Sequence, residues 1–262
     1  MSQGAGGYLL DAQGISIAFG GLKAVQGLTV QVPAGALHGL IGPNGAGKTT
    51  AFNLLTGVYR AQSGSIHLDG KRIDGLAPHK IAQAGLARTF QNIRLFGELT
   101  VLDNVRLACH CRGKHSIVGT LLRTPAFVAQ EHAMRALAME LLAALGLAHV
   151  AQEQAKNLPY GDQRRLEICR ALATQPRVLL LDEPAAGMNP SEKKALARTI
   201  VEIKDRYKLA VLLIEHDMGL VMEICERITV LDHGCPIACG APAEVQSDPK
   251  VCEAYLGEPT PA

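Results

Sequence analysis

The sequence has no tryptophan, few aromatic residues of any kind and no long apolar run. Aromatic residues make up only 4% of its 262 residues. No stretch approaches the roughly 18 apolar residues that spanning a bilayer requires, and residues 1–7 lack the basic and apolar parts of a signal peptide. Because 48% of the residues are hydrophobic, we expect a globular chain whose membrane role, if any, is peripheral.

The chain also lacks an excess of positive charge and a paired set of cysteines. Lysine and arginine number 26 against 24 aspartates and glutamates, so there is no general basic field for nucleic acid. Cys109 and Cys111 flank His110 and lie near His115, but they form no C-x-x-C pair and no second pair follows at a zinc-finger interval. We therefore favour free thiols in a reducing cytosol over a metal site.

The chain does have a phosphate-binding loop, Gly-Pro-Asn-Gly-Ala-Gly-Lys-Thr-Thr at residues 42–50. The loop meets the G-x-x-x-x-G-K-[ST] spacing between a predicted strand and a predicted helix. Glycines let backbone N–H groups turn toward phosphate oxygens, Lys48 adds a full charge, and Thr49 offers a hydroxyl to Mg²⁺. The context disfavours a glycine-rich turn with an accidental lysine. The predicted nucleotide-binding residues of the loop are Gly42, Pro43, Asn44, Gly45, Ala46, Gly47, Lys48, Thr49 and Thr50.

Hydrophobic periodicity predicts an α/β core in two halves with a helical insert between them. Residues 8–32 alternate as an antiparallel pair about Gly20-Gly21. Thr100 and Asp103 have the spacing of a capping box at the start of a helix, with Asp in place of Glu or Gln. The other predicted strands lie at 37–41, 65–68, 71–73, 86–90, 178–181, 210–214 and 228–231, and the other helices at 50–56, 78–85, 126–145, 164–173, 191–207 and 217–225.

Two carboxylates, Asp182 and Glu183, follow the apolar run Val178–Leu181. In a phosphate-loop enzyme such an aspartate holds Mg²⁺ through water, and such a glutamate polarises the attacking water. The alternative is a plain junction between a strand and a turn. Beside a phosphate loop we favour the catalytic interpretation.

These motifs, together with others in the same order, resemble the nucleotide-binding subunit of an ATP-binding-cassette transporter over about residues 8–257. Gln91, in Arg-Thr-Phe-Gln-Asn, falls on the Q-loop glutamine of that family, and residues 158–164, Leu-Pro-Tyr-Gly-Asp-Gln-Arg, fall on its signature segment. His216 matches the switch histidine, and Phe19 falls near the aromatic residue that stacks on adenine. Taken alone, each also has a plain alternative as a loop residue, a helix cap or a core side chain.

The resemblance implies an ATPase in which ATP lies between two cassettes. The implied catalytic residues are Glu183, His216, Gln91 and Lys48. Mg²⁺ would be bound by Thr49, Gln91 and Asp182. Tyr160 and Gly161 would face the ATP held by the partner chain.

Two segments depart from the family pattern. Pro159, Tyr160 and Asp162 replace the Ser, Gly and Gln of the signature, and Asn189 replaces an aspartate. The missing serine removes one donor to the γ-phosphate, and Asp162 brings a carboxylate near an anion. A weaker site on the partner chain is one interpretation of these changes; a trait of one branch of the family is the other.

That branch is the long-chain ATP-binding subunit of branched-chain amino acid importers. Stretches at 157–168, 182–190, 214–218 and 254–258 match it, and 119–127 is similar to its insert. The likeness implies uptake of branched-chain or other small amino acids at the cytoplasmic face of the bacterial inner membrane. It also implies a second cassette subunit, either non-identical or a second copy, two permease subunits and an extracytoplasmic binding protein. The alternatives are an exporter of lipid or lipopolysaccharide, and a soluble cassette ATPase acting on nucleic acid or ribosomes.

The implied fold is α/β: a P-loop NTPase core with a mixed sheet flanked by helices, an antiparallel β subdomain and an inserted α-helical subdomain. We expect one cassette domain at 8–257, with the core at 8–90 and 176–257. The helical insert would occupy 91–175, and the ends at 1–7 and 258–262 would be flexible.

The insert carries a run of basic residues. No acidic residue lies between Asp103 and Glu131, whereas Arg106, Arg112, Lys114 and Arg123 do, with apolar Leu121, Leu122 and Phe127. A solvated loop with ordinary positive charge is one interpretation. The other is a surface that faces the permease and anionic lipid headgroups.

Overall fold

The computed structural model describes residues 7–112 and 124–256, which fall into two compact units. One unit contains the described residues up to Arg88 and from Arg177 onwards, and the other spans Thr89–Pro176. The predicted flexible ends lie outside the described residues, apart from Gly7. The grouping of both units as one cassette domain, with an insert bounded at 91 and 175, stays a prediction.

In chain order the strands are β1 (Tyr8–Phe19), β2 (Leu22–Pro33), β3 (Leu37–Ile41), β4 (Ser63–Leu68), β5 (Lys71–Arg72), β6 (Leu86–Arg88), β7 (Val178–Asp182), β8 (Ala210–Ile214), β9 (Arg227–Asp232) and β10 (Cys235–Gly240). The helices are α1 (Lys48–Leu55), α2 (Pro78–Ala84), α3 (Val101–Cys109), α4 (Pro125–Ala144), α5 (Tyr160–Ala173), α6 (Pro190–Tyr207), α7 (Met218–Ile224), α8 (Pro242–Gln246) and α9 (Pro249–Leu256).

The first unit contains two sheets that share one core. A four-stranded antiparallel sheet has the order β2-β1-β4-β5, and a six-stranded sheet has the order β10-β9-β3-β8-β7-β6. The predicted pair at 8–32 is confirmed: β1 and β2 are antiparallel, with Ile15 opposite Leu28. Alternate residues of both strands point into a core that also takes Phe52 of α1 and Leu212 of β8.

Five strands of the six-stranded sheet, β9, β3, β8, β7 and β6, run parallel, and β10 is antiparallel to β9. Every residue of β3, β7 and β8 is buried, as their uninterrupted apolar sequences predict. Because the strands are parallel, their carboxyl ends meet at one edge of the sheet. Ligands bind outside this edge in open α/β sheets.

The second unit is helical. The helix α3 packs against both α4 and α5. The predicted cap at Thr100 is confirmed, since its hydroxyl oxygen accepts from the Asp103 backbone N–H at 3.0 Å. Thr124 caps α4 in the same way, with Pro125 in the first turn, where the missing N–H costs nothing. Within the described residues, no helix of either unit combines the length and the apolar composition that crossing a membrane requires.

Several predicted boundaries are wrong. The signature helix α5 begins at Tyr160 rather than at Arg164, with Pro159 as its N-cap and Asp162 favourably placed in its first turn. The strand predicted at 86–90 ends at Arg88. The return strand of the hairpin at Asp69-Gly70 ends at Arg72. Three C-terminal elements, β10, α8 and α9, have no counterpart in the prediction.

The basic run of the insert needs a correction at Arg106. Its Nη1 lies 2.8 Å from Asp103 Oδ1, and its Nη2 lies 2.8 Å from Glu131 Oε2. The two acids that bound the run in sequence therefore both meet Arg106 in space. Lys114, Leu121, Leu122 and Arg123 lie outside the described residues, as does the side chain of Arg112, so the predicted surface stays a prediction.

Candidate functional site

The phosphate loop connects β3 to α1 at the carboxyl end of the sheet. Gly42, Gly45 and Gly47 have φ angles of 151°, 82° and 100°. A Cβ on Gly42 would lie 2.1 Å from the carbonyl oxygen of Leu231, and one on Gly47 would lie 2.4 Å from that of Ala24. The same position on Gly45 faces open space. The loop thus lies tight against the protein on one side and is open on the other, as a phosphate cradle must be.

The remaining loop residues divide by exposure. Asn44, Gly45 and Thr49 are exposed, Pro43, Gly47 and Thr50 are half-buried, and Gly42, Ala46 and Lys48 are buried. The helix α1 has Gly47 as its N-cap with no side-chain capping hydrogen bond. The N–H groups of its first turn, with the positive end of the helix dipole, are therefore left to attract an anion.

Lys48 places a cation within this loop. Its Nζ donates to the carbonyl oxygens of Gly42 at 2.7 Å and Pro43 at 2.8 Å. Burial lowers the pKa of the Lys48 ammonium, and the negative charges of Glu183 and Asp182 oppose that shift. The ammonium group of Lys48 therefore interacts electrostatically with the two carboxylates at the end of β7.

Asp182, the last residue of β7, is only 2% exposed. Its Oδ2 accepts from Arg88 Nη2 at 2.7 Å. The Nη1 of the same guanidinium donates to Asn53 Oδ1 at 2.7 Å, and the guanidinium lies 5.5 Å from the centre of the Phe52 ring. A buried carboxylate without such compensation is strongly unfavourable. The Arg88 guanidinium therefore offsets part of the cost of burying the Asp182 carboxyl group at the end of its strand.

Glu183 follows with a left-handed backbone conformation, at φ 47°. Its N–H donates to the carbonyl oxygen of Ile214 at 2.9 Å, which continues the β7–β8 ladder by one residue. His216 lies two residues after the end of β8, at the same edge, and is exposed. Its Nδ1 lies 4.0 Å from Glu183 Oε2, so the two predicted catalytic side chains are neighbours.

Glu215 lies between Ile214 and His216 and has no exposed surface. Its Oε1 accepts from the Ala185 N–H at 2.8 Å, and its Oε2 lies 3.8 Å from His216 Nδ1. Burial raises the pKa of the Glu215 carboxyl, while the backbone N–H groups that it accepts from act in the opposite direction. We call Lys48, Asp182, Glu183, Glu215 and His216 the carboxyl edge.

The carboxyl edge and the first turn of α1 suit Mg²⁺, which prefers oxygen ligands. Asp182 offers a carboxylate whose Oδ2 is fixed by Arg88, and Thr49 offers an exposed hydroxyl. The residues therefore fit the ion that the sequence implies. Gln91 belongs to the other unit, and its role as a ligand stays a prediction.

Phe19 ends β1 with 45% of its surface exposed. Its ring meets that of Tyr59 edge to face, with centroids 5.1 Å apart and planes at 68°. In a chain with few aromatic residues, this half-exposed pair offers a surface on which a base can stack. That Phe19 contacts adenine stays a prediction.

In the second unit, the signature segment and Gln91 are held together through Arg164. This arginine is 3% exposed, and its Nη1 donates to the Phe90 carbonyl oxygen at 2.9 Å. Its Nη2 donates to the carbonyl oxygen of Gln91 and, at 2.9 Å, to the hydroxyl of Tyr160. Glu167 Oε1 accepts from the Phe90 N–H at 3.1 Å. The signature helix therefore fixes the main chain that carries Gln91.

The departures from the family pattern have local partners. Asp162, in the first turn of α5, lies 3.2 Å from Arg165 Nη2, and Gly161 follows Tyr160 in the same turn. Asn189 forms a capping box at the start of α6: its Oδ1 accepts from the Glu192 N–H at 3.0 Å, and Glu192 Oε2 accepts from the Asn189 N–H at 2.9 Å. Asparagine caps a helix as well as aspartate does, so this change preserves the turn.

Sequence reasoning missed Arg88, Tyr59 and Glu215. Arg88 lies three residues before Gln91, and its partner Asp182 is 94 residues away along the chain. Glu215 directly precedes His216 and follows an apolar strand. This position is the sequence signal from which its place at the carboxyl edge could have been predicted.

Two family models match this chain. A model described as ABC transporter matches residues 25–186, which is more than half of the chain. A second, described as branched-chain amino acid ATP-binding cassette transporter, matches residues 235–260, where β10, α8 and α9 lie.

Relatives match over nearly the whole length. The chain is 47% identical over 250 residues to the high-affinity branched-chain amino acid transport ATP-binding protein LivG of Salmonella typhimurium, covering 95% of this chain and 98% of the relative. It is 46% identical, with the same coverage, to the protein BraF of Pseudomonas aeruginosa, which has the same description. A crystal structure of the ADP conformation of MJ1267, an ATP-binding cassette of an ABC transporter, matches with a TM-score of 0.83 at 33% identity and covers 96% of this chain and 99% of that one. The predicted fold class is confirmed.

Proposed function

Because the chain belongs to the ATP-binding-cassette transporter family, we propose that it is the ATP-hydrolysing subunit of a branched-chain amino acid importer. Membership of the family makes it an ATPase that serves a transporter. The observation that carries the choice of solute is the 47% identity to a branched-chain amino acid transport protein across 95% of the chain. The match at residues 235–260 to a model of the same branch supports it.

The carboxyl edge supports a division of labour in hydrolysis. Lys48 and the loop amides would hold the β- and γ-phosphates, and their positive charge would stabilise charge that develops on the transferring group. Mg²⁺, once bound, neutralises phosphate charge. Asp182 and Thr49 would hold that ion.

Glu183 is proposed as the general base. Its side chain is less exposed than that of His216, with 19% against 57% of the surface accessible, so the base has limited access to bulk water. His216, at 4.0 Å from Glu183, would orient the γ-phosphate and the attacking water. General-base catalysis of this kind accelerates reactions by roughly 10²–10⁴-fold.

The other half of the ATP site would come from another chain. We propose that Tyr160 and Gly161, at the start of α5, contact ATP held by a partner cassette, whose own signature segment contacts ATP held here. The positive end of a helix of 14 residues favours a phosphate at that position. Gln91, held by Arg164, would link this exchange to the permease subunits.

The proposed complex contains a second cassette subunit, two permease subunits and an extracytoplasmic solute-binding protein. This chain would bind the permeases from the cytoplasmic face of the cell membrane. Phe19, with Tyr59 against its edge, would stack on the adenine.

Uptake of labelled leucine tests the transport proposal. Cells that lack the coding region are complemented with the wild-type chain, with Lys48→Met or with Lys194→Met, an exposed lysine on α6. We expect uptake with the wild type and Lys194→Met and loss of uptake with Lys48→Met. Leucine, isoleucine and valine uptake that is independent of the chain would contradict the solute assignment, while ATP hydrolysis by the purified chain would still report on the ATPase.

Export of lipopolysaccharide is the alternative that a relative supports. The chain is 33% identical over 250 residues to the lipopolysaccharide export system ATP-binding protein LptB of Haemophilus influenzae. That identity is well below the 46–47% of the amino acid transport proteins, so we rank import first.

A further inference from the structure

We propose that Glu215 is a positioning residue for hydrolysis, because its buried carboxylate joins the segment that carries Glu183 to the segment that carries His216. The inference rests on the catalytic roles proposed for Glu183 and His216. Glu215 itself has no accessible surface and cannot contact the nucleotide. Its effect on the reaction must therefore pass through its neighbours.

The contacts of Glu215 begin where the sheet ends. The last residue pair between β7 and β8 is Asp182 with Ile214, and the Glu183 N–H still finds the Ile214 carbonyl oxygen at 2.9 Å. After Ile214 the chain turns away into the loop before α7. There the Glu215 side chain takes over as acceptor, with Oε1 accepting from the Ala185 N–H at 2.8 Å and Oε2 accepting from the His216 N–H at 3.2 Å. One carboxylate thus ties both segments together.

The Ala185 N–H depends on the Glu215 carboxylate as its hydrogen-bond acceptor. Ala185 is 1% exposed, so water is not a ready substitute. A buried N–H without an acceptor is strongly unfavourable. The neighbouring hydrogen bond, from the Ala186 N–H to the Glu183 carbonyl oxygen at 3.2 Å, closes the turn. It does not involve the Ala185 N–H, whose acceptor is Glu215.

The turn that Glu215 holds is one that a relaxed chain would avoid. Glu183 has φ 47°, in the left-handed region that non-glycine residues seldom occupy. Such a conformation persists only where surrounding contacts over-determine it. Glu215 supplies one of those contacts, two residues from Glu183. Loss of the contact should let Glu183 move away from His216, whose Nδ1 is 4.0 Å from its Oε2.

The surroundings of Glu215 offset part of the cost of burying its charge. Burial disfavours the carboxylate, whereas the N–H groups of Ala185, His216 and Asp217 and the charge of His216 favour it. The negative charge of Glu215 also acts on Lys193 of α6 and favours the ammonium form of that side chain. A glutamine in its place keeps the shape but offers one acceptor oxygen and one NH₂ group, so one of the two N–H groups would face a donor.

A purely structural carboxylate is the competing explanation, and kinetics separates the two. A structural residue would lower the stability of the fold and leave the turnover of the folded fraction unchanged. A positioning residue would lower kcat while the affinity for ATP stays the same, since the phosphate loop is held by other contacts. Misplacement of a catalytic group by about 1 Å costs up to roughly 10²-fold in rate.

The experiment compares Glu215→Gln with Val211→Ala in the full-length chain. Val211 is a fully buried residue of β8, the strand that precedes Glu215, so its truncation loosens β8 without touching the carboxyl edge. We expect Glu215→Gln to lower kcat by about 10–100-fold with an unchanged Kd for ATP. Val211→Ala should keep its kcat. The Ala185 and His216 amide protons, followed by NMR, should exchange faster in Glu215→Gln only.

Two results would overturn the proposal: a kcat for Glu215→Gln equal to that of Val211→Ala, or a loss of ATP affinity that matches the loss of rate. If Glu215→Gln does not fold, Glu215→Asp serves instead, because its shorter side chain keeps the charge but cannot span both N–H groups; wild-type kcat would then refute the idea. Glu183→Gln is measured in parallel. Wild-type turnover in that variant would refute the proposed base itself, whereas an inactive Glu183→Gln beside an unimpaired Glu215→Gln would refute only the role of Glu215.

Discussion

Two polar clusters lie near opposite ends of the six-stranded sheet, and they differ in how far neighbouring groups compensate the cost of burial. At the carboxyl edge, Asp182 is 2% exposed beside Arg88, and Lys48 is 7% exposed beside two carboxylates. Nearer the start of the strands, His38 of β3 pairs with Thr229 of β9, with Nε2 and Oγ1 2.8 Å apart. Burial, helped by the charge of Arg227, lowers the pKa of His38 to about 4, so it is neutral at pH 7.

A buried group that only stabilises the fold therefore differs in its surroundings from a group that is proposed to take part in the reaction. A buried histidine that only has to satisfy hydrogen bonds loses its charge, because desolvation disfavours the charged form. Burial acts in the same direction at the carboxyl edge, where it lowers the pKa of Lys48 and raises that of Glu215, but there the carboxylates near Lys48 and the backbone N–H groups that Glu215 accepts from oppose it. Ionisable groups that are perturbed by burial and by specific charged partners are expected at functional sites.

The largest effect on stability is expected when Arg88 is removed. Arg88→Met leaves the Asp182 carboxylate in its buried position without the guanidinium, and breaking such a pair costs about 3–5 kcal/mol of unfolding free energy. Urea denaturation of the full-length chain measures it. The double variant Arg88→Met/Asp182→Asn should recover much of the loss, because no charge is left to compensate.

Arg198→Met, at an exposed position of α6, is the control and should unfold like the wild type. If the single and double variants are equally unstable, packing of the Arg88 side chain on Phe52 matters more than its charge. The Arg88–Asp182 pair would then not support the view that compensation of charge distinguishes the carboxyl edge from His38.

The next effect concerns nucleotide affinity. Lys48→Met removes a charged donor to phosphate that is worth about 1.5–3 kcal/mol, which corresponds to a Kd for ATP that is roughly 10–100-fold weaker. Isothermal titration calorimetry with the Lys194→Met protein as control measures the change. Wild-type affinity in Lys48→Met would mean that the loop amides alone hold the phosphates.

The smallest effect is a dependence of stability on pH that comes from His38. The unfolded chain takes up a proton near pH 6.5, whereas the folded chain resists protonation down to about pH 4. Stability from this group is therefore full above pH 6.5 and is lost as the pH falls toward 4. The loss between pH 8 and pH 5 is about 2 kcal/mol.

His38→Asn removes the titrating group, so the decrease in unfolding free energy between pH 8 and pH 5 should be smaller by that amount. His79→Asn, at an exposed position of α2, should leave the decrease as it is in the wild type. An equal decrease in His38→Asn and the wild type would show that the histidine is not held neutral by burial.

Most of the candidate site could be predicted from motifs with fixed spacing. Lys48, Asp182 and Glu183 could be predicted as site residues because the phosphate loop and the apolar run that leads into Asp-Glu are each contiguous in sequence. The all-apolar strands β7 and β8 were placed to within one residue for the same reason, since burial on both faces leaves an uninterrupted run.

Residues whose role depends on strand order were not predictable. Arg88 meets Asp182 because β6 lies beside β7, although 94 residues separate them in sequence. Tyr59, which follows α1, meets Phe19 although 40 residues separate them in sequence. Likewise, the start of α5 was placed too late because Pro159, Tyr160 and Gly161 have low helix propensity, although Pro159 is the N-cap, where its missing N–H removes no hydrogen bond of the helix.

The most direct test of the account is the turnover of Glu183→Gln measured together with its affinity for ATP. The change keeps the size of the side chain at the carboxyl edge and removes its basicity, and Glu202→Gln, at an exposed position of α6, is the matched control. We predict that kcat falls by about 10²–10⁴-fold, that the Kd for ATP is unchanged and that a closed, ATP-bound dimer accumulates. Hydrolysis by Glu183→Gln at the rate of Glu202→Gln would contradict the account.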